Sequence, residues 1–193
     1  QKTNLYKKRI KDLVRTFKIE TTVVYMTTDL IQHLFKYPHY NPYVFIVVAI
    51  QKYKRTRLWT RMVKYYKLYN SNSTVFYVSN ICLSRDEQKT IENNINCITF
   101  DDMFRIERKN SIKQTTHKKK YLFVIDNMQQ LSESQNKNLN TLVMNNRFSN
   151  STLILNSPSI KRCKPSIRTN SDYTFISNCT KTFQDLNPYQ WFI

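Results

Sequence analysis

The chain reads as an α/β protein: an open, mainly parallel sheet with helices on both faces. Three observations predict this. Tyr43 to Ile50 is an unbroken apolar and aromatic run, rich in Val and Ile, that follows Asn41-Pro42. Tyr121 to Ile125 is a second such run, closed by the carboxylate of Asp126. Around them, apolar segments of strand length alternate with polar segments of helical period, in the order β-α-β-α. Short β-branched runs bounded by turns are the pattern of strands buried on both faces. Their alternation with helices selects a parallel sheet.

The first run sets the frame. After Ile50 the chain turns polar through Gln51, Lys52, Tyr53, Lys54, Arg55 and Thr56. It then enters Arg57 to Tyr69, where Leu58, Met62 and Tyr65 or Tyr66 recur at helical spacing. Buried strand, polar turn, helix is how a phosphate-binding loop is placed. Set against Gly-x-x-x-x-Gly-Lys-Ser/Thr, Ala49 takes the first Gly, Lys54 the second, Arg55 the Lys and Thr56 the hydroxyl. Only Thr56 matches. These four are the candidate nucleotide-binding positions. Asp126 ends its strand where phosphate-loop NTPases hold Mg²⁺, so Asp126 and Thr56 are the candidate metal ligands. Asn127 stands where many ATPases carry a second acid that polarises the attacking water. Helix cap or turn former is the equally weighted structural role for Asp126.

Bulk properties bound the rest. A length of 193 residues suits one domain with a sizeable core. A hydrophobic share of 40% excludes a disordered chain. The net charge of +18 points to a polyanion, nucleic acid first and an anionic membrane surface second. Candidate nucleic-acid contacts are Lys52, Lys54, Arg55, Arg57, Arg61, Lys118, Lys119 and Lys120, which would neutralise phosphates without reading sequence. A compositional origin competes with this: Gly is absent, Ala occurs once, and Lys and Asn are abundant, as in an AT-rich genome. Without Gly, turns must rely on Asn, Asp and Ser, and no backbone can approach a phosphate as a Gly-rich loop does.

Cys82, Cys97, Cys163 and Cys179 lie far apart and form no metal spacing with His33, His39 and His117. Reduced, mostly buried thiols in an intracellular compartment are expected, and no zinc site. No apolar run is long enough to span a bilayer. The chain begins without Met, so targeting is not legible.

In chain order, residues 1–21 predict a basic amphipathic helix on Leu5, Ile10, Leu13, Val14 and Phe17. Thr28-Asp29 could cap a short helix, Leu30 to Phe35, before a proline-bearing loop. After the helix at Arg57 to Tyr69 come a turn at Asn70 to Ser73 and a strand at Thr74 to Ser79. A polar helix is expected at Asp86 to Asn93 and a strand at Cys97 to Phe100. A helix at Met103 to Arg108, capped by Asp101-Asp102, and a basic loop to Lys120 follow. Beyond the second run, Ser132 and Glu133 open a helix to about Met144. Strands at Ser151 to Leu155 and Tyr173 to Ser177 flank a loop at Ser157 to Lys164, and an aromatic tail ends the chain. The implied organisation is a basic N-terminal extension (1–40), the α/β domain (41–178) and the tail (179–193).

The later half adds a family resemblance. Asn146 to Ser157, NRFSNSTLILNS, resembles the Gly-Arg-His-x-x-x-Ser segment and following strand of the genome-packaging ATPases of large DNA viruses, relatives of FtsK and HerA. Arg147 falls on the family's Arg, Phe148 on its His, and Pro158 where the family has a sensor Gln. Ile167-Arg168-Thr169-Asn170 resembles the family's Arg-x-Asn before the last core strand. The stretch LIQHLFKYP resembles the lead-in to the first strand. Together these cover Leu30 to Ser177, in order. The resemblance implies a RecA-like P-loop NTPase fold, with Asn127, Arg147 and Arg168 at vestigial catalytic positions. The family's loop glycines, Lys, second acid and sensor Gln are all replaced.

The expected function is therefore a catalytically degenerate packaging-ATPase-like protein, acting as a nucleic-acid-binding or structural partner subunit. No cofactor is expected. Double-stranded DNA is favoured over RNA, with an active ATPase or a capsid component as protein partner and a virion or viral factory as location. One alternative is an active packaging ATPase, which would use Mg-ATP through Thr56, Asp126 and Arg55. Another is a structural RNA-binding subunit of an organellar ribosome or other ribonucleoprotein.

Overall fold

The computed structural model describes residues 31–36, 42–80, 95–112, 119–126 and 128–177. The expected N-terminal helix at 1–21, the helix at 86–93 and the aromatic tail lie outside these residues, as do Asn127, Lys118, Cys82 and Cys179. Six strands form one sheet: β1 (Val44–Ala49), β2 (Thr74–Val78), β3 (Asn96–Ile98), β4 (Tyr121–Ile125), β5 (Ser151–Ser157) and β6 (Tyr173–Ser177). Their order is β3-β2-β4-β5-β1-β6, and every pairing is parallel. The helices are α1 (residues 31–36), α2 (Lys52–Tyr69), α3 (Phe100–Ser111), α4 (Glu133–Asn145) and α5 (Pro165–Thr169).

Strand alternation sorts the core into two layers. Val44, Ile46, Val48, Phe123, Ile125, Leu153 and Leu155 face α3, α4 and α5. Phe45, Val47, Val75, Tyr77, Leu122, Val124 and Ile154 face α1 and α2. Every residue of β1, β4 and β5 is buried, as strands covered on both sides must be. On the second layer Phe35 meets Phe45 and Tyr66 edge-on, each at 5.5 Å between ring centroids. Residues 31–36, assigned to the N-terminal extension by the sequence reading, thus pack into the core.

Element boundaries differ from the sequence expectation where local hydrogen bonding outweighs periodicity. α2 begins at Lys52, not Arg57, because the Gln51 carbonyl accepts from the Lys54 and Arg55 amides at 3.1 and 3.4 Å. α3 begins at Phe100 and reaches Ser111. Its cap is Thr99, whose hydroxyl accepts from the Asp102 amide at 3.2 Å, and Asp101 and Asp102 suit the positive end of the first turn. α4 opens on a capping box between Ser132 and Gln135. β5 extends to Ser157, and the expected loop beyond it holds a 3₁₀ turn at Ile160–Arg162 and then α5, with Pro165 at its start. Cys163 is buried, but Cys97 is exposed on the short edge strand β3, against the expectation of mostly buried thiols. Among the described residues no helix is long and apolar enough to cross a membrane.

Candidate functional site

Parallel strands bring all their C-terminal ends to one edge of the sheet, and ligands of open α/β sheets bind there, where strand order reverses. The two anchors of the sequence reading, the turn after β1 and Asp126 after β4, both reach this edge. They are not adjacent: β5 runs between β1 and β4. Its residue Asn156 pairs with Val47, while Leu155 pairs with Ile125, so Asn156 stands between the β1 end and Asp126. Asn156 is 1% exposed, and neither amide atom has a hydrogen-bond partner among the described residues. The sequence reading had set a sensor position on Pro158, two residues on. The signal for Asn156 in the sequence was slight: an amide directly after the apolar run Leu153 to Leu155, where the expected strand had already ended.

The turn after β1 contains only Ile50 and Gln51, since β1 ends at Ala49 and α2 starts at Lys52. Lys54, Arg55 and Thr56 therefore lie inside the helix. The Lys54 and Arg55 amides are already bonded to Gln51, so they do not line an open cradle. Arg55 turns back on the strand it follows. Its Nη1 donates to the carbonyl oxygen of Ala49 and, at 3.2 Å, to that of Ile50. The residue is 8% exposed and its Nε is buried without a partner among the described residues. A buried guanidinium must have acceptors; here they are the strand's own last carbonyls. Arg55 is thus withdrawn from the outward nucleic-acid contact expected of it. Thr56 also serves its own helix, donating to the Lys52 carbonyl at 3.2 Å.

Asp126 is 5% exposed. Its Oδ2 accepts from the Tyr77 hydroxyl at 2.9 Å, and its amide donates to the Val78 carbonyl at 3.1 Å. The Tyr77 ring lies 5.6 Å from that of Trp59 on α2, so an aromatic pair roofs this end of the sheet.

Other candidates are dispersed. Arg147 sits in the turn before β5, at the N-terminal edge, where its Nη2 donates to Asp172 Oδ1 at 3.2 Å. Parallel strands of this length place it about 20 Å from the C-terminal edge. Arg168 is on α5, with Nε buried and unpartnered among the described residues. Its charge bears on Cys163, whose thiol burial pushes up while a Ser157 hydrogen bond and Arg168 pull the other way. Lys119 and Lys120 precede β4 at the N-terminal edge, and the Lys120 ammonium donates to Asn70 Oδ1 at 3.1 Å. Lys52, Lys54, Arg57 and Arg61 are on α2, which starts at the opposite edge. The expected basic contacts therefore form two separate groups.

No family model and no curated protein matches the chain. Among solved structures it resembles a DNA polymerase III, gamma subunit-related protein from Thermotoga maritima, with a TM-score of 0.54 at 10% identity. The match covers 82% of this chain and 48% of that one, so the chain spans about half the length of this neighbour. The fold is a P-loop NTPase-type α/β fold. At that identity the likeness carries the fold alone, and not the packaging lineage.

Proposed function

We propose that the chain is a P-loop-type domain without nucleotide turnover that serves as a nucleic-acid-binding or structural subunit. The observation that carries this reading is the Arg55 guanidinium seated on the Ala49 and Ile50 carbonyls. A phosphate cradle needs free amides and room for an anion. Here the turn is two residues long, its neighbouring amides are bonded, and an internal cation occupies the strand end. The residues present do not fit Mg-ATP: Thr56 is bonded within its helix, and Asp126 is held by Tyr77. The net charge of +18 supports nucleic acid as the partner. In the packaging-derived form of the reading, the protein partner is an active ATPase subunit.

A second reading, a structural RNA-binding subunit of a ribonucleoprotein, is favoured by the same filled crevice, because a purely structural role has no use for an open one. Calorimetric titration with Mg-ATP, with and without double-stranded DNA, tests the proposal. No heat at millimolar ATP is expected. Binding that Asp126→Ala abolishes would overturn it and restore an active ATPase.

A further inference from the structure

The cations of α2 divide by direction. The helix carries Lys52, Lys54, Arg55, Arg57, Arg61, Lys64 and Lys67, and no acidic residue. Its buried side is Arg55, Trp59, Met62, Val63 and Tyr66. Lys54, Arg57, Arg61 and Lys64 recur at intervals of three, four and three residues, so they share a face turned away from the sheet. Arg57 and Lys64 are exposed, and Lys54 and Arg61 half-buried. Two exposed hydrophobic side chains bracket the stripe: Tyr53, 63% exposed, lies at the start of the helix, and Leu68, 66% exposed, at its end. The Lys54 ammonium stands 5.9 Å from the Tyr53 ring centre. The ion pairs Arg105–Asp102 and Arg147–Asp172 involve none of the stripe residues Lys54, Arg57, Arg61 and Lys64.

We infer that this outer face of α2 is the surface on which the chain holds a nucleic-acid phosphate backbone. The assignment rests on the nucleic-acid reading above and narrows it: Lys64 joins the contact set, while Lys52, Arg55, Lys118, Lys119 and Lys120 leave it. The argument is charge and spacing. Like charges three and four residues apart repel and weaken a helix, and no acid on α2 relieves them. A polyanion does. From Lys54 to Lys64 the helix rises about 15 Å. One strand of a duplex presents a phosphate about every 3.4 Å along its axis, so four to five phosphates span the stripe. Four cations spread over that length can each neutralise a phosphate of the backbone and read no sequence.

The test is fluorescence anisotropy with a DNA duplex and an RNA duplex of the same sequence, across a salt series, on the full chain. The K54Q/R57Q/R61Q/K64Q variant is compared with K109Q/K137Q/K161Q/K164Q, which removes the same charge from exposed positions elsewhere. The α2 variant should lower the magnitude of the slope of log K against log salt by about three to four, at about 0.9 per lost duplex phosphate contact. The control should change it by less than about one. The α2 variant should also melt at a higher temperature than wild type, because its like-charge repulsion is gone, and this distinguishes lost binding from lost folding. Equal losses in both variants would mean bulk charge and overturn the assignment. Binding by wild type that the α2 variant retains also overturns it, while leaving the nucleic-acid reading intact. No binding by wild type removes the nucleic-acid reading itself. Preference between the two duplexes separates DNA from RNA as the source of the backbone.

Discussion

The two edges of this sheet are built on opposite terms. At the N-terminal edge, polar side chains stitch elements together. Asn110 donates to the carbonyls of Lys119 and Ser149 at 2.9 and 2.7 Å and accepts from the Lys119 amide at 3.0 Å, tying α3 to the approaches of β4 and β5. Asp172 accepts from the Val44 amide at 2.8 Å and donates its own amide to the Val44 carbonyl at 2.9 Å. Asn146 reaches the Pro42 carbonyl at 3.3 Å. At the C-terminal edge, Asn156 and the Arg55 Nε are buried without partners among the described residues, and Gln51 gives α2 no side-chain cap. An unmet buried polar group costs about 1–3 kcal/mol. The difference teaches where this chain puts stability and where it tolerates strain. The stitched edge holds the fold, and the unsatisfied one is where such folds keep their sites.

Substitutions can break that contrast, and the largest effect is expected at Asn110. Asn110→Ala removes three hydrogen bonds and leaves backbone groups of two strand approaches unmet. A loss of about 3 kcal/mol is expected in urea unfolding. A loss below about 1 kcal/mol would mean the stitching is incidental.

Tyr66 sharpens the same edge through pH. Burial pushes its phenol up to about 12, against hydrogen bonds to Thr152 and Ser73 that lower it. The unfolded chain releases this proton near pH 10 while the native state keeps it, so stability falls as pH rises from 10 towards 12. The window is worth up to roughly 2.7 kcal/mol. Tyr66→Phe should remove this part of the alkaline slope, read as the difference between the two unfolding curves at each pH.

At the opposite edge the sign reverses. Asn156→Leu replaces two unmet polar atoms by apolar atoms of similar shape and should stabilise the chain by about 1 kcal/mol. Destabilisation there would show that Asn156 is satisfied by something bound in the crevice, and would erase the contrast.

The smallest effect belongs to Arg147. Its pair with Asp172 is solvent-facing, with the Arg147 side chain 72% exposed. Arg147→Ala should cost about 0.5 kcal/mol or less in thermal unfolding. A larger cost would make Arg147 part of the stitching.

Much of the fold was legible in the sequence. Val44 to Ala49 of the first run and Tyr121 to Ile125 announced buried parallel strands because both sheet faces are covered, so each position had to be apolar; Ile50, the last residue of the first run, falls instead in the turn and is 69% exposed. Ser132 and Glu133 marked α4 to within a residue, although the reach of Gln135 back to the Ser132 amide was seen only in the structure. The starts of α2 and α3 were not legible, because Gln51 and Thr99 act through backbone geometry that periodicity does not report. α5 was missed since five residues carry too little period to be seen.

The candidate site was legible in part. The spacing of Ala49, Lys54, Arg55 and Thr56 located the right turn, and Asp126 the right strand end. Composition alone also settled that no Gly could line that turn, since the chain has none. What the tertiary structure decided was direction. It folded Arg55 back onto the β1 carbonyls, set β5 and its Asn156 between the two anchors, and sent Arg147, Lys119 and Lys120 to the far edge. It left Lys54, Arg57, Arg61 and Lys64 outward on one helix face. A sequence fixes which groups are present and how far apart they lie along the chain. Which of them meet depends on strand order, and strand order is settled by long-range pairing that no local pattern encodes.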